Sequence, residues 1–244
     1  MVKTSGQPEG RAPGKAKKTN YIPSQMTYYE THSSASKVLN QSNKGDMKIK
    51  ELTPSEFQHK HPYQYKVLNL YSYAQTQRKK KPLKKVAAVV AYDKPLYLDK
   101  KKQLESFGMT SDWIRTNKKT GKKKEIKAII VPKIKHKKKN ENQLAIFHST
   151  SIAHEDTHAS IKTSEKYPRS SEVFRMESEG QLTPEESDSA YYSIPEEQDA
   201  YSNEYKYSKY LLKKLPPKAS RFKLARKALK RNISHTKQFY TKDD

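Results

Sequence analysis

Residues 78–92 read RKKKPLKKVAAVVAY. Six cations run directly into Val and Ala, and this junction raises the question of whether the chain folds at all. A short β-branched run bounded by charge reads as a strand, so residues 85–92 are a strand candidate. Two further apolar runs, 126–134 (IKAIIVPKI) and 144–147 (LAIF), extend that reading. In the basic tract between Trp113 and Ile126, Asn117, Thr120 and Gly121 suit a loop tip between two short strands. The expectation is a small β-rich or α+β module around residues 60–150.

Outside this module little apolar material remains. Leu, Ile, Val and Phe together number 41 of the 244 residues, under the roughly 20% below which a charged chain does not fold alone. Mean hydropathy is −1.09 and net charge +24. Ordering a residue costs about 1–2 kcal/mol, and burial returns only about 25 cal/mol per Å². The composition therefore predicts a largely intrinsically disordered chain, with the module as an ordered island and short basic amphipathic helices near the C-terminus.

Charge divides the chain. Residues 1–60 read as a disordered polar arm, 61–150 as the basic module, 151–204 as an acidic, Ser- and Tyr-rich disordered segment, and 205–244 as a basic helical tail. Residues 78–139 hold 22 Lys and Arg against 5 acids, whereas 172–204 hold 10 acids against Arg175 alone. Pro184 and Pro195 mark the acidic stretch as a poor helix or strand. In the tail, Tyr207, Tyr210, Leu211 and Leu215 share one helical face, and Phe222, Ala225 and Leu229 form a second stripe flanked by cations.

Without cysteine the chain has neither a disulfide framework nor a thiolate metal site. No apolar window reaches the length of a membrane span. No Gly-rich phosphate loop or nucleophile elbow is present.

A chain of this charge seeks anions. The expectation is a nuclear, non-enzymatic protein that binds nucleic acid, DNA or RNA, through its phosphates. Lys outnumbers Arg, the usual reader of guanine edges, so sequence specificity should be low. Lys79, Lys80, Lys81, Lys84 and Lys85 are candidates for phosphate contact or for a nuclear import receptor. Lys122, Lys123, Lys124, Lys137, Lys138, Lys139, Arg221, Arg226, Lys227, Lys230 and Arg231 are candidates for nucleic-acid contact. Tyr63, Tyr65, Tyr71 and Tyr73 precede the first basic run and could stack on bases. Two alternatives use other features: a structural protein on the acidic surface of microtubules, and a phosphotyrosine-regulated adaptor. Thr183, Ser187, Tyr192 and Tyr201 are candidates for regulatory phosphorylation, the two tyrosines because YSIP and YSN resemble SH2-domain ligands.

Residues 154–158, HEDTH, match the zincin signature H-E-x-x-H, in which two His one helical turn apart hold zinc and the Glu activates a water. The surroundings read against it. Asp156 places a charge inside the motif, the flanks are polar, and no third ligand follows at a known spacing, Glu177 being a guess. His148 with His154 and His158 could gather a metal adventitiously. The expectation is therefore no catalytic residue, no cofactor and no resident metal.

Overall fold

The computed structural model describes residues 26–31, 49–81, 83, 86–91, 109–116, 123–131, 140–160 and 170–239. It overturns the expectation of a largely disordered chain with a β-rich module. Helices dominate: α1 (Pro54–Lys60), α2 (Pro62–Gln77), α3 (Glu141–Ser160), α4 (Ser170–Ser178), α5 (Pro184–Ser193), α6 (Pro195–Lys214) and α7 (Lys223–Phe239). Strands β1 (Thr27–Thr31), β2 (Ile49–Leu52), β3 (Val86–Ala91), β4 (Met109–Thr116) and β5 (Lys123–Ile130) form one sheet in the order β2-β1-β3-β5-β4. β1, β3 and β5 run parallel, and β2 and β4 are antiparallel to their neighbours at the two edges.

Tyrosine explains the error in the composition argument. A Tyr ring buries about 150–250 Å², and counting only Leu, Ile, Val and Phe omitted it. Tyr28, Tyr71 and Tyr207 are among the largest fully buried side chains. Tyr28 packs on Phe57 with ring centroids 4.5 Å apart, and Tyr71 meets Tyr207 edge-on at 5.3 Å. Two of these hydroxyls have partners, as buried polar groups need: Tyr71 Oη donates to Asp156 Oδ2 at 2.7 Å, and Tyr207 Oη donates to Ser149 Oγ at 3.1 Å. One buried cluster runs from Met26 to Tyr207.

The acidic stretch also corrects the reading of its prolines. Pro184 and Pro195 stand in the first turns of α5 and α6, where a missing N–H costs nothing. Thr183 caps α5 with a reciprocal box: Thr183 Oγ1 accepts from Glu186 N at 3.2 Å, and Glu186 Oε2 accepts from Thr183 N at 2.9 Å. Glu196 and Glu197 in the first turn of α6 suit the positive end of its dipole. A segment read as solvated is instead helical.

Residues 144–147, read as a strand, lie in α3. Most of this helix is buried, against α2, α6, α7 and the β4–β5 hairpin. A helix packed on several sides has no polar face and so no apolar stripe to recognise. Among the described residues, no helix is long and apolar enough to cross a membrane.

Candidate metal centre

HEDTH occupies the C-terminal half of α3, where the i, i+4 spacing sets His154 and His158 one above the other. Both imidazoles turn toward the start of α6. His154 Nε2 and His158 Nε2 are 3.1 Å apart, and Glu197 Oε2 lies 3.3 Å from the first and 3.4 Å from the second. Three donor atoms thus form a nearly equilateral triangle.

That triangle fits a metal. A tetrahedral zinc with bonds of about 2.0–2.1 Å spaces its ligands about 3.3–3.4 Å apart. Two imidazole nitrogens and one carboxylate oxygen are a donor set used at catalytic zinc sites, which leave the fourth position for water or substrate. His154 and Glu197 are buried. Glu197 Oε2 has no hydrogen bond aligned on it, as expected of an atom aimed at a shared central point. The residues present fit zinc.

A second layer of carboxylates holds the rings. His158 Nδ1 and Glu196 Oε1 are 3.0 Å apart, and His154 Nδ1 lies 3.3 Å from Glu204 Oε2. At His158 the carboxylate only accepts, so Nδ1 carries the proton and Nε2 is the atom left for a ligand bond, whereas His154 Nδ1 makes no hydrogen bond. Asn232 of α7 orients this layer by donating to Glu204 Oε1 at 2.9 Å and Ser208 Oγ at 3.0 Å. Asn203 of α6 ties the two helices together by donating to Ala153 O at 2.7 Å and Thr157 Oγ1 at 3.0 Å.

The electrostatics follow from this crowding. Burial alone would depress the His154 imidazole, but Glu197 and Glu204 overcome it and raise it to about 10. The same opposition, with Glu196 and Glu197, raises His158 to about 9. Burial would raise Glu197, yet the two imidazoles bring it down to about 2. Without a metal, protons supply the positive charge that the carboxylates demand. A divalent cation would replace them.

Glu155, the second residue of the motif, is buried, and its charge acts on His154 and His158 as well as on Tyr191 and Tyr201. Tyr201 sets its ring edge-on to His154 at 4.6 Å. Burial first, and the Glu197 charge second, push the Tyr191 phenol far above its ordinary range, and its hydroxyl bonds the Glu197 side chain.

The sequence-based candidates fall elsewhere. Glu177, the guessed third ligand, instead accepts from Ser187 Oγ at 2.7 Å between α4 and α5. His148 faces Tyr63, whose hydroxyl bonds its Nδ1, and takes no part in the triangle. Glu197 went unnoticed because it comes 39 residues after His158. Its only local signal is its place, with Glu196, behind Pro195.

Of the proposed phosphorylation residues, Thr183 is the exposed helix cap, Ser187 is buried, and Tyr192 and Tyr201 are half-buried beside the metal centre. Lys79, Lys80 and Lys81 are exposed after α2; Arg221 precedes α7, and Lys227, Lys230 and Arg231 are exposed along it. Arg226 is half-buried and is used internally, donating to Pro216 O and Ala219 O. Lys123 and Lys124 belong to β5. Lys84, Lys85, Lys122, Lys137, Lys138 and Lys139 lie outside the described residues, as do Asn117, Thr120 and Gly121. Comparison with protein families, with curated proteins and with solved structures finds no match to this chain.

Proposed function

We propose that the chain is a zinc-dependent hydrolase of the H-E-x-x-H type, with a peptide bond as its substrate. The observation that carries this is the convergence of His154 Nε2, His158 Nε2 and Glu197 Oε2 on one point at tetrahedral spacing. Zinc bound there would supply Lewis acidity and a water acidified to near neutrality.

The chain's own groups account for the rest. Glu155 is the base that takes the water's proton and hands it to the departing amine, a role that requires a carboxylate beside the metal. Glu196 holds His158 in the ligand tautomer, Glu204 stands beside the His154 ring, and Asn203 and Asn232 hold α3, α6 and α7 in register.

The test is metal analysis of the full-length chain purified with zinc, followed by hydrolysis of a quenched-fluorescence peptide library. One equivalent of zinc and cleavage are expected. Glu155→Gln should retain the zinc and lose at least about 100-fold in rate, the contribution of a positioned base. A chain that takes up no zinc at micromolar concentration would falsify the metal assignment. Zinc without cleavage of any peptide would refute the hydrolase.

A further inference from the structure

The end of α2 carries a second feature, separate from the metal centre. Its C-terminal turn is closed by Lys80 N donating to Gln75 O at 2.9 Å and Lys79 N donating to Thr76 O at 2.9 Å, and Lys79 sits at φ 57. This is a Schellman closure, whose left-handed residue is usually Gly. The same chain closes α4 in the same way with Gly180 at φ 70, through Gln181 N to Met176 O at 2.8 Å. At the end of α2 a lysine takes the glycine's place and bears the strain of that conformation.

A second left-handed residue follows four positions later. Leu83, at φ 53, is fully buried, and its N–H donates to Asp156 Oδ1 at 3.0 Å. The basic turn is thus pinned at one end by its helix and at the other by α3. Strain of this kind persists only where the surroundings over-determine it, and it clusters at functional sites.

The turn is also fastened to α6. The Arg78 guanidinium lies over the rings of Tyr207 at 5.9 Å and Tyr210 at 5.7 Å, and Arg78 Nη1 donates to Gln75 Oε1 at 2.9 Å. On α6, Lys206, Lys209 and Lys213 stand exposed beside Tyr210 and Leu212 on one open face of the helix. The Arg78 contacts with Tyr207 and Tyr210 bring the turn against this face of α6, and partial burial, then the charges of Arg78 and Lys206, hold the Lys80 ammonium below its ordinary value. Only the buried Asp156 opposes them at Lys80.

We infer that the strained turn of Lys79, Lys80 and Lys81 and the α6 face of Lys206, Lys209 and Lys213 form one surface that binds the phosphate backbone of a single-stranded nucleic acid, with Tyr210 as a stacking platform. Cations that track a backbone beside an aromatic ring are the usual components of single-strand binding. Lysines rather than arginine forks fit recognition without base readout. Lys206 comes nine residues after Glu197 on α6, about 14 Å along the helix axis. A strand held here stays clear of the metal, so it is bound and not cut.

The experiment is fluorescence anisotropy of the full-length chain with a labelled mixed-sequence single-stranded oligonucleotide, titrated from 50 to 200 mM salt. Lys206→Gln/Lys209→Gln/Lys213→Gln and Lys79→Gln/Lys80→Gln/Lys81→Gln should each weaken binding at least 10-fold. Each should also reduce the log–log salt slope by about 2–3, three phosphate contacts being lost. Lys227→Gln/Lys230→Gln/Arg231→Gln on α7 removes the same charge and should change affinity less than 3-fold. Tyr210→Ala should weaken binding without changing the slope. Equal losses from all three triple variants would reduce the effect to net charge and overturn the inference. So would unchanged binding by the first two, equal binding to anionic-lipid vesicles through the same lysines, or degradation of the oligonucleotide. Zinc content, read on the same samples, should not change in any variant, which separates this surface from the metal centre.

Discussion

Among the described residues, two clusters combine a buried histidine with carboxylate, and they are built oppositely. In the first, Glu30 of β1 accepts from Lys60 Nζ at 2.8 Å and meets His61 Nε2 at 3.1 Å. Its two oxygens are answered by the Lys60 ammonium and the His61 ring. In the second, His154, His158 and Glu197 bring three donor atoms within 3.1–3.4 Å of one another. Two further carboxylates stand behind the rings. Satisfied lone pairs mark a structural ion cluster, whereas lone pairs converging on a common centre mark a ligand set. The first should stabilise the fold and the second should bind metal, and substitution can separate the two.

The largest effect is expected on the metal. Glu197→Ala or His154→Ala removes one of three ligands and should abolish retained zinc, measured by metal analysis after dialysis. Glu30→Ala should leave the zinc at one equivalent. Behind the ligands, Glu204→Gln and Glu196→Gln should each weaken zinc about 10–100-fold, the usual cost of a lost outer-shell partner, as read by competition with a chromogenic chelator. Unchanged affinity would mean that these carboxylates do not orient the rings.

The Glu30 cluster should respond in stability instead. Glu30→Gln is expected to cost about 1–2 kcal/mol at pH 7, because it leaves the buried His61 ring without its charged acceptor, while the exposed Lys60 loses little. Burial would raise the Glu30 carboxyl, but the bonds from Lys60 and His61 prevail and hold it below its ordinary 4.5. Its contribution is therefore present above that value and is lost as the pH falls through the depressed one. Acid denaturation followed by circular dichroism should show the wild type losing stability over that range and Glu30→Gln losing less.

Smaller still are the helix ends. Thr183→Ala removes the cap of α5 and should cost about 1 kcal/mol in urea unfolding. Lys79→Gly should stabilise by up to about 1 kcal/mol, since glycine takes the left-handed conformation without strain. If Lys79→Gly destabilises, the lysine side chain supports the fold and the turn is not strained for binding.

Some of this was legible in the sequence and some was not. The His154–His158 spacing and the intervening Glu155 could be read directly, because helical periodicity alone places them. The run at 85–92 corresponds to β3, since a short β-branched segment offers few other choices. The charged residue inside HEDTH, read against a metal site, turns out to hold the fold: Asp156 binds the Tyr71 hydroxyl and the Leu83 N–H. The prolines misled because the same residue breaks a helix interior and starts a helix, and only the position of the first turn distinguishes the two.

By itself, then, the sequence determined the order of charge, the absence of thiols and the pair of histidines one helical turn apart, all local properties of composition and spacing. Tertiary structure decided the rest. It assembled a core from tyrosines whose hydroxyls needed distant partners, and it chose Glu197 over Glu177 to complete the metal triangle. It also brought the basic turn after α2 against the lysines of α6. Each of these depends on groups far apart in the chain meeting within a few ångströms, and that is a property of how helices pack rather than of the residues that form them.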